Sequence, residues 1–169
     1  TALFLVGRDI RDGSFSDFGG KSERYDRNDP IQTACREFYE ESLGLVLNIK
    51  QLRARIHPTT CIALKATTQS NNIYYMFILE IPYLAHLRTT FLKTSEFLRW
   101  HQLHRSLVEK TDIEWVTLQG LQHTFKRSVF QRTLDMHKAV IDRIGRCQPH
   151  EWKTLCLKYA RELEHTHHL

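Results

Sequence analysis

The order of apolar and polar residues along the chain predicts strands mixed with helices. A short apolar run at residues 2–6 has the length of a buried strand. Runs rich in β-branched and aromatic residues at about 60–66 and 73–81 predict a hairpin, because the residues between them have turn-forming side chains. Two further short runs, at 45–49 and 113–118, predict additional strands.

Other stretches have apolar residues at helical spacing. The first predicted helix spans about 30–43, with Asp29 as its N-cap, Pro30 in its first turn and Gly44 as a left-handed C-cap. The others span about 83–107, 128–144 and 151–164. Gly145 and Pro149 separate the last two of these helices. Strands mixed with helices indicate an α/β or α+β layered fold.

Composition narrows the class of protein. The 169 residues suffice for a single domain with its own core. The sequence has no run of eighteen apolar residues, so we expect no membrane span. The four cysteines are not closely paired, which indicates free thiols in a reducing, cytoplasmic environment. The net charge of +5 favours a polyanionic partner, although solubility alone would also explain it.

The first predicted helix carries an acidic face. Glu37, Glu40 and Glu41 are three or four residues apart, which places their carboxylates on one side of the helix. The like charges repel one another, and a hard divalent cation would reverse that repulsion. Arg36 precedes Glu40 by four residues, at the spacing of an ion pair. The alternative interpretation is a solvated helix face without a ligand.

Residues 19–45 as a whole resemble the Nudix box, whose pattern is Gx5Ex7REUxEExGU, where U is apolar. The Gly19-Gly20-Lys21 start, the core from Arg36 to Glu41 and the Gly44-Leu45 end occur in the order of the pattern. The chain is therefore identified as a candidate member of the Nudix hydrolase family.

Two departures from the pattern concern its loop and its end. The interval from Gly20 to Arg36 is two residues too long, so Asp26 or Asp29 substitutes for the first acid of the box, or that acid is absent. Leu43 is an extra residue before Gly44, and we expect the helix to end one residue later than in the pattern.

The resemblance implies an α/β/α sandwich with a mixed sheet. In that interpretation residues 1–169 form one Nudix hydrolase domain, with a helical insertion at about 84–107 and C-terminal helices at about 128–165. The implied activity is metal-dependent hydrolysis of a diphosphate linkage with Mg²⁺ or Mn²⁺ as cofactor. The implied metal ligands are Glu37, Glu40, Glu41 and the carbonyl of Gly20, and Arg36 orients a glutamate.

The resemblance leaves three residue roles open. Glu109 and Glu114 are the candidates for a general base outside the box, and surface charge is the alternative for both. Lys21 either contacts substrate phosphate or pairs with an acid of the box.

The substrate implied by the resemblance and the basic charge is an mRNA cap, so that the enzyme would be a decapping, RNA-binding pyrophosphatase releasing m7GDP. A diphosphoinositol polyphosphate, a dinucleoside polyphosphate or a free nucleotide is the alternative substrate. A catalytically inactive RNA- or nucleotide-binding regulator is the alternative function. We expect no obligate protein partner. Basic residues form one candidate anion groove and aromatic residues the candidate stacking surfaces: Arg88, Lys93, Arg99, Arg105, Lys126, Arg127 and Arg132, with Tyr74, Tyr75, Trp100 and Trp115.

Overall fold

The structure is a computed structural model that describes residues 2–101, 108–124 and 126–167. It is a mixed α/β fold, as expected. The described strands are β1 (Phe4–Asp9), β2 (Phe15–Ser16), β3 (Cys61–Thr67), β4 (Ile73–Leu79) and β5 (Lys110–Val116). The described α-helices are α1 (Pro30–Glu41), α2 (Ile49–Arg55), α3 (Leu87–Trp100), α4 (Leu118–His123), α5 (Ser128–Met136), α6 (Lys138–Gly145), α7 (Trp152–Lys158) and α8 (Arg161–His167).

The described strands form two antiparallel sheets. In the first, β1 lies between β2 and β5, and Phe4 stands opposite Val116. The second is the predicted hairpin of β3 and β4. The mixed sheet that the resemblance implied is therefore not seen among the described residues. Their one parallel pairing is an isolated bridge between Phe15 and Lys126.

Helices cover both faces of the hairpin. Ile62 and Leu64 of β3 belong to a buried cluster with residues of α4 to α7, whereas Cys61 and Ala63 belong to a cluster with residues of α1, α2 and α8. This alternation follows from the two-residue period of a strand, whose successive side chains point to opposite faces. The hairpin is thus an inner layer, and α1 is held against one side of it.

The expected strand at 45–49 is wrong. Residues 45–48 form no strand, and α2 begins at Ile49. The side chain of Asn48 accepts a hydrogen bond from the backbone N–H of Gln51, and the Gln51 side chain accepts one from the N–H of Asn48. This reciprocal capping box starts a helix where the apolar run alone suggested a strand.

The predicted strand at 113–118 is shifted. It begins earlier, at Lys110, and ends at Val116. The side chain of Thr117 then accepts a hydrogen bond from the N–H of Gly120 and caps α4, so Leu118 is helical.

The later helices are shorter than expected. The predicted 83–107 helix is observed as α3, and its remaining part at 102–107 lies outside the described residues. The two predicted C-terminal helices are each divided, at His137 and at Tyr159–Ala160. In the described residues no helix is both long and apolar enough to cross a membrane.

The end of α1 also differs from the expectation. The helix stops at Glu41, and the extra residue Leu43 adopts a left-handed conformation with φ of 56°, followed by Gly44 with φ of 67°. The N–H of Gly44 donates to the carbonyl of Tyr39. The extra residue Leu43 therefore lies in the turn after the helix, and the three glutamates keep their helical phase.

Candidate active site

Helix α1 begins as the sequence predicts. The Asp29 carboxylate accepts a hydrogen bond from the backbone N–H of Ile31 at 2.9 Å, and Pro30 occupies the first turn, where its missing N–H has no cost. Ile31 and Cys35 are buried against α2 and the hairpin. This packing fixes the face of α1 on which Glu37, Glu40 and Glu41 lie.

Arg36 is the centre of a buried ion-pair network. Its guanidinium donates to both carboxylate oxygens of Asp26, with Nη2 at 2.9 Å from Oδ2 and Nε at 3.1 Å from Oδ1. Its Nη1 lies 2.9 Å from Glu37 and 3.2 Å from Glu40. The Arg36 hydrogen bonds hold the pKa of Asp26 below its ordinary value, although burial opposes them.

This network distinguishes the two loop acids. Asp26 is fully buried and contacts Arg36, whereas Asp29 caps α1 and pairs with Arg53 at 3.1 Å. Of the two acids, Asp26 is the one that contacts the arginine of the box.

The two loop glycines lie against the carboxylates of α1. The N–H of Gly19 donates to Glu41 Oε1 at 2.6 Å. A Cβ built on Gly20 would lie 2.3 Å from Glu37 Oε1, closer than real Cβ contacts allow. Glycine at position 20 therefore permits this approach of the backbone to the Glu37 carboxylate, which a larger residue would displace.

Lys110 is a site residue that the sequence analysis missed. Its ammonium is buried, 3.5 Å from Glu41 Oε2, and donates to the carbonyl of Asp17 at 3.2 Å. A Cβ at Gly7 would lie 2.8 Å from the Lys110 side chain, so the glycine within β1 makes room for it. The available signal was this glycine inside a strand, which often marks a close approach.

Burial raises the pKa of both Glu37 and Glu41, that of Glu41 to about 8. For Glu41, the Lys110 charge opposes this increase, whereas Glu37 and Glu109 add to it. The Glu109 charge also contributes to the raised pKa of Glu37. The structure thus brings the charge of Glu109 within electrostatic range of the two buried acids.

The other predicted residues have different surroundings. Glu114 lies 3.8 Å from Arg88, whose guanidinium also binds Asp112. The backbone carbonyl of Lys21 accepts a hydrogen bond from Arg36, while the Lys21 side chain is exposed. Glu40 is the most exposed of the three glutamates on α1.

The donor types fit a hard divalent cation. Glu37, Glu41 and the Gly20 carbonyl supply oxygen only, and the Gly20 backbone lies against the Glu37 carboxylate. The arrangement is nevertheless incomplete, because within residues 2–101, 108–124 and 126–167 no group of three His, Cys, Asp or Glu side chains is placed to hold a metal ion. Arg36 and Lys110 instead neutralise the carboxylates.

Several residues of the expected anion groove are used within the fold. The Lys126 ammonium donates to the carbonyls of Leu121 and Thr124 at the end of α4, which makes it a helix cap rather than an exposed anion ligand. Arg132 donates to the carbonyl of Thr67, and Arg88 pairs with Asp112.

The remaining basic residues of the expected groove differ in exposure. Lys93 and Arg99 are exposed, and Arg127 is half-buried. Arg105 lies outside the described residues.

The four aromatic residues proposed as stacking surfaces differ in their contacts and exposure. The Tyr74 hydroxyl is hydrogen-bonded to Asp17, and burial raises its pKa well above the ordinary value. Tyr75 stacks on Phe77, and Trp115 donates to the carbonyl of Leu84. Trp100 is the most exposed of the four, at 84%.

A cavity of about 520 Å³ adjoins α1. Residues of β1 and β4 line it, and Ala34 and Phe38 of α1 form part of its wall. Its lining includes the acids Asp17 and Glu80 but no Lys, Arg or His among the described residues. This composition suits an aromatic or apolar group rather than a phosphate.

Comparisons with protein-family models, with curated proteins and with solved structures returned no significant match. The Nudix resemblance therefore depends on the residues of the box and on the geometry they adopt.

Proposed function

We propose that the protein is a Nudix-type, metal-dependent pyrophosphohydrolase that cleaves a diphosphate linkage in a nucleotide substrate, most specifically an mRNA cap. The observation that carries this proposal is the position of Gly19 and Gly20 between the carboxylates of Glu41 and Glu37. The same loop and helix residues define the box in the sequence, so sequence order and spatial contact support one site.

In this proposal Glu37, Glu41 and the Gly20 carbonyl hold Mg²⁺ or Mn²⁺, with Glu40 available on the exposed side. When bound, the ion neutralises diphosphate charge and acidifies water. Arg36 acts as a positioning residue, because its guanidinium is fixed by Asp26 while it contacts Glu37 and Glu40.

Glu109 is the better supported of the two candidate bases. Its side chain is exposed, as a residue that accepts a proton from water requires, and it directly precedes Lys110, which pairs with Glu41. Glu114 is engaged with Arg88. Lys110 balances the charge of Glu41 at Oε2, while the N–H of Gly19 donates to Oε1 of the same carboxylate.

Two observations support a nucleotide substrate. The cavity beside α1 has apolar walls without cationic side chains in its described lining, which suits a base. The net charge of +5 favours a polyanion such as RNA. A cytoplasmic location would provide capped RNA as substrate and keep the buried cysteines reduced.

The second candidate is a catalytically inactive module that binds RNA or a nucleotide. The observation in its favour is that Arg36 and Lys110 neutralise the helix acids, and that the described residues gather no three-ligand metal group. In that case the ion pairs of Arg36 and Lys110 with the helix glutamates would stabilise the fold and hold no metal.

A substrate panel with Mn²⁺ separates these functions. Cap-labelled RNA, a dinucleoside polyphosphate and a diphosphoinositol polyphosphate are incubated with the protein, and products are resolved by chromatography. Release of m7GDP supports decapping, and cleavage of the other compounds alone assigns the alternative substrate. Absence of turnover on every compound, together with RNA binding, supports the inactive module.

The matched variants for that panel are Glu41→Gln and Glu164→Gln. We expect Glu41→Gln to lower kcat about 100-fold, the loss typical of one charge-stabilising group. Glu164 is an exposed acid of α8, and its substitution controls for the change in net charge. Equal turnover by the two variants at saturating Mn²⁺ would contradict a role for Glu41.

A further inference from the structure

Helix α3 has a buried stripe that ends in an unusual residue. Leu87 and Phe91 pack on Ile113 of β5, and Ser95 continues the same stripe one turn later. The Ser95 side chain is 3% exposed, and its Oγ has no hydrogen-bond partner in the described part of the protein. A buried hydroxyl without a partner is costly, so its retention points to a ligand that supplies the missing contact.

Ser95 lines a second cavity, of about 330 Å³, between α3 and the start of β5. The helical residues around it are spaced by three and four positions, so they share one flank of α3. The described lining is Leu92, Ser95, Glu96, Arg99, Trp100 and Thr111.

The end of α3 carries exposed aromatic and cationic side chains, of which Trp100 and Arg99 line the cavity. Trp100 is 84% exposed, and Phe97 is exposed beside His101 with ring centroids 4.1 Å apart. Lys93 and Arg99 are exposed, and neither forms an ion pair with another described residue. Exposed aromatic rings interleaved with cations are typical of single-stranded nucleic-acid binding, since the rings stack on bases and the cations contact phosphates.

The cavity is close in the chain to the candidate active site. Lys110, which pairs with Glu41, begins β5, and the next residue, Thr111, lines the cavity.

We propose that this flank of α3 binds a nucleotide in the body of a single-stranded RNA. The base stacks on Trp100, its polar edge faces Ser95 and Glu96, and Arg99 contacts the adjacent phosphate. Glu96 suits an exocyclic amino group, which a carboxylate accepts as a hydrogen-bond donor. The inference rests on the proposed function and extends it, because it assigns a site on α3 to the body of the RNA substrate.

The test measures binding of a short, uncapped, fluorescein-labelled oligoribonucleotide by fluorescence anisotropy, without added metal. We expect Trp100→Ala to weaken binding about tenfold or more, the usual consequence of losing one stacked base. Met136→Ala is the control, since Met136 is likewise the exposed last residue of a helix. Trp100→Phe keeps a ring and should retain most of the affinity.

Ser95→Ala separates a binding role from a structural one. Removal of an unpartnered buried hydroxyl should leave the thermal midpoint of unfolding unchanged or higher, while RNA affinity falls about threefold because one hydrogen bond is lost. Arg99→Glu should lower the slope of log affinity against log salt concentration by about one, the value expected for the loss of one phosphate contact. Arg161→Glu, at an exposed position of α8, has the same change in charge and should not alter this salt dependence.

Unchanged RNA affinity in both Trp100→Ala and Ser95→Ala would overturn the proposal, as would no RNA binding by the wild-type protein. Loss of self-association in Trp100→Ala without loss of RNA binding would assign the face to protein contact and also overturn it. Hydrolysis of a small dinucleoside polyphosphate by these variants should equal that of the wild type. If the wild-type protein does not hydrolyse the dinucleoside polyphosphate, activity on this small substrate is rejected. The RNA-binding measurement still tests the site on α3 independently.

Discussion

Asp26 and Arg36 form a buried, bidentate ion pair, with Asp26 Oδ2 at 2.9 Å from Nη2 and Oδ1 at 3.1 Å from Nε of the arginine. The pair connects the polar loop to the helix that carries the acidic face. Because Arg36 also contacts Glu37 and Glu40, the position of the loop acid determines where two of the candidate ligands lie.

Replacement of Asp26 by Asn should destabilise the protein by about 3 kcal/mol at neutral pH, because it leaves the Arg36 charge with one buried partner fewer. Urea unfolding measures this free energy. Asp29→Ala is the comparison and should cost about 1 kcal/mol, the usual effect of a lost N-cap. Equal losses in the two variants would contradict the assignment of Asp26 as the structural acid of the loop.

The same pair predicts a pH dependence. The Arg36 hydrogen bonds lower the pKa of Asp26 in the folded state below the ordinary 3.8, although burial opposes them. Its contribution to stability is therefore present above that ordinary value and is lost as pH falls through the lower folded pKa. The free energy of unfolding of Asp26→Asn should decline less than that of the wild type in this acid range. Parallel declines would reject the linkage.

The Glu41–Lys110 pair should show strong coupling in a double-mutant cycle. Above pH 8, where Glu41 is ionised, both buried side chains are charged, so Lys110→Met or Glu41→Leu alone leaves one charge without its partner and should cost about 3–5 kcal/mol. The double variant should recover most of this loss, since an apolar pair needs no compensating charge. Urea unfolding of all four proteins gives the coupling energy. Additive losses would show that the two charges do not interact.

The adjacent glycines provide a matched test of the loop. Gly20→Ala places a methyl group where the Glu37 carboxylate lies, and the flexible end of that side chain has to move. We expect at least a tenfold loss of kcat, because the Glu37 carboxylate is displaced from its position beside Arg36. The thermal midpoint of unfolding should change less, because Gly20 itself is exposed. At Gly19 the nearest atom is the Tyr74 hydroxyl at 3.7 Å, so Gly19→Ala should retain activity. Equal activities of the two variants would contradict a specific role for Gly20.

Sequence reasoning was most successful where local chemistry decides the structure. The Asp29–Pro30 start of α1 and the β3–β4 hairpin follow from capping, turn residues and periodicity, and both are confirmed. The acidic face was predictable for the same reason, since its three residues lie within two turns. The strand expected at 45–49 was wrong because the Asn48–Gln51 capping box outweighed an apolar run.

Contacts between distant residues were beyond the sequence pattern. Lys110 reaches the carbonyl of Asp17 across 93 positions, and nothing in the local sequence of either residue indicates this pairing. The choice between Asp26 and Asp29 likewise required the path of the loop. Burial also changes the site, because the raised pKa of Glu41 depends on its enclosure by the folded chain.

The metal claim is tested most directly by anomalous diffraction from crystals soaked with Mn²⁺ and a non-hydrolysable nucleotide diphosphate. We expect an anomalous peak bounded by the carboxylates of Glu37 and Glu41 and the carbonyl of Gly20, with the diphosphate beside it. Crystals that hold the nucleotide but show no peak at these oxygens would contradict it.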